Sequence, residues 1–291
     1  MKSAKAAKPA KYDARTDPDV PAGMSIELLQ DLHLLTREGQ LNADARRKLK
    51  QIRHLVGLLR PALDDAMART AEPLIVDCGA GKSYLGALLY ELVLGPAGRG
   101  SLTAIEARPE LSAQAAERAA RFGQARFRVT TGAIADAPLA QRPNVVTALH
   151  ACDTATDDAL ARAVGWEAAL VLAAPCCHHD IQKQLKSVTP PAPYALMTRY
   201  GIVRERFADV LTDSLRAAVL RQVGYRVEVV QFVDSQHTPR NLLLRAARTG
   251  AKPAADLQAE YEALVTEWQV KPRLAQLLLP AETAAGAEVV S

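Results

Sequence analysis

From Glu72-Pro73 onward the chain alternates short apolar runs with helical stretches, and this alternation limits the fold more than any other feature. The runs are LIVDCGAG (74–81), SLTAIEA (101–107), ARFRVTTG (125–132), NVVTALHACD (144–153), AALVLAAPCC (168–177), YRVEVVQFV (225–233) and NLLLRAA (241–247). Helical patterns fit Tyr84–Leu94, Leu111–Arg121, Asp157–Ala163, Ile181–Lys186 and Glu205–Val223. A strand followed by a helix, repeated, predicts a parallel sheet wrapped by helices. No helix separates the last two runs, so they are expected to pair antiparallel. The expected fold is therefore α/β, with a mostly parallel seven-stranded sheet and an antiparallel last strand. With aromatics at only 4% of the 291 residues, the core has to be built mainly from Ala, Leu and Val.

The flanking segments read differently. Residues 1–22 are rich in Lys, Ala, Pro and Asp without periodicity, which predicts a disordered basic tail. Residues 23–70 predict a helical extension: one helix from Ser25 that Gly39 ends, and a second from Ala43 to Met67. The second carries Arg46, Arg47, Lys48, Lys50, Arg53 and Arg60 opposite its apolar stripe. That face is either solvated or a contact for phosphates. Residues 71–250 would form the α/β domain, and 251–291 C-terminal helices and a tail. No apolar run is long enough to span a bilayer, and the N-terminus has no secretory apolar core. Four cysteines, two of them adjacent, do not form a disulfide framework and fit a reducing cytoplasm. A net charge of +4 permits a polyanionic partner without requiring one.

Chemistry enters with LIVDCGAGKSYLGALLYELV, where an apolar strand ends in Asp77, turns through Gly79 and Gly81, and passes into a helix near Ser83. Such a turn lets backbone approach a ligand. The spacing is shorter than a full dinucleotide fingerprint and does not match a P-loop, despite Lys82-Ser83. Glu106 closes the next run, where an acid can accept both hydroxyls of an adenosine ribose.

VDCGAGKSYLG together with IEA resembles the class I S-adenosylmethionine-dependent methyltransferases over about residues 70–248. The resemblance implies a Rossmann-like sheet and S-adenosylmethionine as cofactor. Asp77, Gly79 and Gly81, with their neighbours Cys78 and Lys82, would contact it. Glu106, followed by Ala107, would hold the ribose, and Gly132-Ala133 would lie near the adenine. LHACDTATDDAL followed by APCCHHD narrows the resemblance to the branch that includes the eukaryotic enzyme methylating a ribose 2′-hydroxyl in the tRNA acceptor stem. Asp153 stands where that enzyme has Gly, and its Cys/His zinc-finger segments have no counterpart here.

In such a fold His150, Cys152 and Asp153 should lie close to Cys176, Cys177, His178 and His179, and His150 also borders the cofactor. Three readings of this cluster stay open: a methyl-transfer site, the buried end of a strand, and a metal site. Successive residues of an extended strand point to opposite faces, and no C-x-x-C or H-x₃-H spacing is present, so no metal is expected. His150 and His178 are the leading candidates for a base, with Asp153 or Asp180 to orient one. Cys176 or Cys177 is a lesser candidate for a nucleophile. Arg199, Arg204, Arg206, Arg216 and Arg221 crowd one segment, as surface arginines of a scaffold helix or as phosphate contacts. His237 and Arg240, in the loop DSQHTPRN, would border the substrate with Arg206. The favoured acceptor is RNA, reached through Arg46, Arg47, Lys50, Arg53 and the Arg204–Arg221 segment. A protein or small-molecule methyltransferase is the first rival, a non-catalytic adaptor for cofactor or RNA the second, and an NAD-dependent oxidoreductase, disfavoured by the short glycine motif, the third.

Overall fold

The computed structural model describes residues 13–149, 151–231 and 241–279. Seven strands form one sheet: β1 (Leu74–Cys78), β2 (Ser101–Glu106), β3 (Phe127–Thr131), β4 (Val145–Ala148), β5 (Leu170–Ala173), β6 (Tyr225–Gln231) and β7 (Leu242–Arg248). Their order is β3-β2-β1-β4-β5-β7-β6, and β7 alone runs against its neighbours β5 and β6. This is the expected α/β architecture, including the antiparallel last strand. The chain leaves β1 toward β2 on one side and later places β4 on the other. The carboxyl ends of β1 and β4 therefore open a crevice at the point where strand order reverses.

Alternation along the strands assigns each side chain to a face. Leu74, Val76 and Cys78 of β1 face one core with Val146, Ala148 and Val171. On that side pack α5 (Thr154–Gly165), α6 (His179–Ser187), α8 (Gly201–Gln222) and α10 (Arg273–Leu278), reached in chain order after α1–α4 below. Ile75 faces the opposite core with Leu102, Val145 and Leu172. There it meets α2 (Ala43–Arg69), α3 (Tyr84–Leu89, running on as a π-helical stretch Tyr90–Leu94) and α4 (Pro109–Arg121). The remaining helices are α1 (Ile26–Asp31), α7 (Ala195–Arg199) and α9 (Leu257–Trp268).

The N-terminal segment departs from expectation in two ways. Residues 13–22, read as part of a tail, include a 3₁₀ turn (Ala14–Thr16) and bury Ala14 and Val20. Helix α1 stops at Asp31 rather than continuing toward Gly39, because His33 adopts φ 55° and the chain folds back. The N–H groups of Leu34 and Leu35 both donate to Leu29 O, at 2.8 and 3.1 Å, and Leu32, Leu34 and Leu35 enter the interior. Leu28 and Leu29 of α1 join Leu49 of α2 and Leu88 of α3 in one cluster. The extension is therefore a third layer on the sheet domain. Leu28→Ala should lower the stability of the whole unit by about 2–5 kcal/mol, read as a shift of a single denaturant transition. An unchanged main transition with a separate early one would show the extension to be independent.

Candidate active site

The expected cofactor residues gather at the carboxyl ends of β1, β2 and β3. Gly79 and Gly81 take φ values of 66° and 57°, the left-handed region that glycine enters without cost. A β-carbon on Gly79 would stand 3.1 Å from Ala151 N, so glycine is what lets the β1 turn touch the turn after β4. At Gly81 a β-carbon would meet nothing nearer than an Arg108 nitrogen at 3.8 Å, which leaves its backbone open to a ligand.

Glu106 ties this turn to β2. It is 4% exposed. Its Oε2 accepts the Gly81 N–H at 2.6 Å, and its Oε1 accepts Arg108 N–H and Nε–H at 3.1 and 2.7 Å. Burial alone would raise the carboxyl pKa, but the hydrogen bonds from Arg108 and Gly81 win and hold it below the usual range. Glu106 O accepts the Gly132 N–H at 3.0 Å, which brings in the end of β3. Asp77 is 3% exposed and accepts the Thr147 hydroxyl at 2.7 Å. Burial is the main cause that pushes its pKa up to about 6; the Thr147 bond opposes and the Glu106 charge assists. Lys82, Ala107 and Ala133 are exposed on this rim. Cys78 is wholly buried, with its side chain in the sheet core.

An ionised carboxylate held rigid beside open glycine backbone fits a ribose diol joined to a polar tail. S-adenosylmethionine would lie with its ribose at Glu106 and its adenine beside Gly132-Ala133, and it supplies a methyl group on a sulfonium. The surrounding chain fixes orientation, which is most of what a direct displacement requires of a protein.

The second group follows β4 and β5. Asp153 holds φ 53° and ψ −123°, a conformation suited to glycine, and its Oδ1 accepts the Asp180 N–H at 3.1 Å. The two turns are thus joined directly. Cys152, exposed, comes from the β4 turn; Cys176 and Cys177, half-buried, come from the β5 turn. Their Sγ atoms all lie within 4.8 Å of one another. The third sulfur comes from a neighbouring strand end, a convergence that alternation along a single strand does not predict. Burial, then the Cys152 and Cys177 thiols, push Cys176 up to about 12, which argues against a cysteine nucleophile. His179 is exposed at the start of α6. His150, His237 and Arg240 lie outside the described residues.

His178 is not placed to serve as a base for an acceptor. It is 3% exposed, with Nδ1 3.0 Å from Asp209 Oδ1 and Nε2 3.0 Å from Asp213 Oδ1. Burial lowers its pKa, but the nearby Asp209 and Asp213 carboxylates more than compensate, so the ring is raised above its ordinary value. A carboxylate oxygen thus stands 3.0 Å from each ring nitrogen. The adjoining Arg216, read from sequence as a surface or phosphate-contacting cation, is 2% exposed. It donates to both Asp157 oxygens at 2.9 and 2.7 Å, to Asp213 at 3.2 Å and to Asp153 O at 3.0 Å. Nothing in the spacing of the arginines marks this one; Asp157 and Asp213 are the signal, as acids on otherwise apolar helix faces.

The basic face of α2 is likewise engaged internally. Arg46 pairs with Asp17 and Asp19, Lys50 lies 3.8 Å from Asp19, and Arg47 and Lys48 pair with Asp44. Arg53 donates to Pro18 O at 2.6 Å. Arg46, Lys50 and Arg53 thereby hold residues 17–19 against the helix. Arg206 is exposed on the first turns of α8.

The raised His178 pKa gives a signed pH effect. Its contribution to stability is complete below the unfolded value of about 6.5 and is lost as pH rises through the folded value. Thermal unfolding across pH 6–9 should show wild type losing stability that His178→Asn, with a flatter profile, does not. Arg216→Met should cost about 3–5 kcal/mol because it leaves buried carboxylates unpaired. Parallel pH profiles for wild type and His178→Asn would contradict a raised His178 pKa.

Residues 47–184 match the family described as "Methyltransferase domain". Two solved structures are similar in part. An rRNA methylase from Streptococcus thermophilus is 11% identical, with 66% of this chain and 95% of that chain covered and a TM-score of 0.43. Magnesium protoporphyrin IX methyltransferase from Synechocystis PCC 6803, with bound S-adenosylhomocysteine, is 13% identical, with 77% and 93% covered and a TM-score of 0.43. Likenesses this distant carry no weight for substrate. No curated protein sequence matches significantly. The Gly79–Gly81 turn and Glu106 both fall within the residues 47–184 that match a methyltransferase domain.

Proposed function

We propose that this enzyme transfers the methyl group of S-adenosylmethionine to RNA. The observation that carries the reading is the surface running from Tyr194 to Arg206. Tyr194, Tyr200, Arg199 and Arg206 are all exposed there. Exposed aromatic rings beside guanidinium groups are what an unstacked base and its phosphate require. The surface adjoins the reaction edge: Asp209, one turn beyond Arg206 on α8, contacts His178 in the β5 turn. With the cations of α2 engaged by Asp17, Asp19 and Asp44, this segment is the better RNA contact. A ribose 2′-hydroxyl of tRNA or rRNA is the acceptor that the branch resemblance favours, with Asp153 and His179 among the groups bordering it and His150, His237 and Arg240 as further contacts.

A second reading has its own support. An apolar groove of about 570 Å³ is lined by Tyr194, Met197, Phe207, Leu264 and Trp268, and it would suit a protein or a small apolar acceptor.

The test is transfer of labelled methyl to total RNA and to total protein from cells lacking this chain. RNase-sensitive label is expected. Tyr200→Ala with Arg206→Ala should lower kcat/KM for RNA about tenfold or more while leaving S-adenosylmethionine affinity unchanged. Label confined to protein would overturn the RNA reading and favour the second.

A further inference from the structure

Cys152, Cys176 and Cys177 remain without a role in the methyl transfer described above. Their arrangement is specific. The Cys176 and Cys177 sulfurs are 3.7 Å apart, and those of Cys152 and Cys176 3.2 Å. All three fall within one 4.8 Å sphere. Zinc–sulfur bonds of about 2.3 Å at tetrahedral angles require sulfurs roughly 3.8 Å apart. The Cys176–Cys177 separation already meets that edge, and the Cys152–Cys176 pair would have to open from 3.2 Å by about 0.6 Å.

The scaffold holds these thiols together independently of any ion. Asp153, next to Cys152, accepts the Asp180 N–H, and Arg216 binds Asp153 O. His178, next to Cys177, is clamped by Asp209 and Asp213. Both ligand-bearing turns are thus pinned to α8 through the residue immediately following each cysteine. A disulfide between Cys152 and Cys176 would leave Cys177 unused, although it is aimed at the same point.

We propose that Cys152, Cys176 and Cys177 form a three-thiolate site for a soft divalent cation of the Zn²⁺ class, with its fourth position open to solvent at the reaction edge. On binding, three S–H protons pass to solvent and three metal–sulfur bonds form, with no change of oxidation state. Three protein ligands and one exchangeable position are the pattern of a site that can bind another molecule. Cys152 follows Ala151, which touches Gly79, so the open position lies beside the cofactor turn. The site does not depend on which acceptor the enzyme uses.

The test uses the full chain, purified under reductant without acceptor. Elemental analysis should find one zinc per chain, and Co²⁺ added to the metal-depleted protein should give the near-ultraviolet absorption of thiolate-to-cobalt charge transfer. Each of Cys152→Ser, Cys176→Ser and Cys177→Ser should weaken Co²⁺ binding at least tenfold while S-adenosylmethionine still binds. If those variants do not fold, X-ray absorption of the wild-type zinc protein decides: a shell of three sulfurs at about 2.3 Å supports the site. No charge-transfer absorption, a shell of nitrogen and oxygen only, or a Cys152–Cys176 disulfide that persists under reductant would overturn it. Loss of methyl transfer to RNA with the cobalt signal intact would sink the acceptor assignment and leave the metal site standing.

Discussion

Arg216 is the point on which the reaction edge depends. A guanidinium in the interior is tolerated only when its charge and nitrogens are matched, and here Asp157, Asp213 and a backbone carbonyl accept four hydrogen bonds from it. The partners lie on α5, on α8 and in the β4 turn, and Asp213 passes the connection on to His178 in the β5 turn. One buried network therefore joins the longest helix on that face of the sheet to both loops beyond the switch point. An apolar residue of similar size could fill the volume but could not specify the positions of Asp153 and His178. The charges have a specific location to defend, because the same turns carry the three thiols and border the cofactor.

The cofactor half of the edge is built by a different device. Gly79 lets two turns touch, and Glu106 draws the Gly81 amide and Arg108 onto one carboxylate. These are short-range bonds between neighbours in the strand order, so the sheet itself sets their accuracy. The network on the other side holds loops that the sheet does not reach. A methyl transfer needs both: the cofactor carries the reactive group, and the protein decides what stands in line with it.

Much of this architecture is legible in the amino-acid sequence. The strand–helix alternation, the antiparallel pairing of β6 with β7, and the Asp77–Gly81 turn follow from local patterns, and each appears where expected. Asp153 is legible too, as a residue in place of glycine, and its φ of 53° gives the physical reason glycine suits the position. The rest depends on contacts between segments far apart in the chain. CCHH on its own aims alternate side chains to opposite sides; only the approach of Cys152 from β4 gathers three sulfurs. Arg216 among five arginines is indistinguishable from a surface residue until Asp157, 59 positions away, is seen against it. The basic face of α2 reads as available for phosphates because Asp17 and Asp19 belong to a segment without periodicity.

The most direct test is calorimetric titration of S-adenosylmethionine into the wild type and Glu106→Gln. Saturable one-to-one binding is expected, weakened in the variant by about ten- to a hundredfold, as for losing charge-assisted hydrogen bonds worth about 1.5–3 kcal/mol. Equal binding by the two proteins, or no binding by the wild type, would contradict the assignment of this edge to the cofactor.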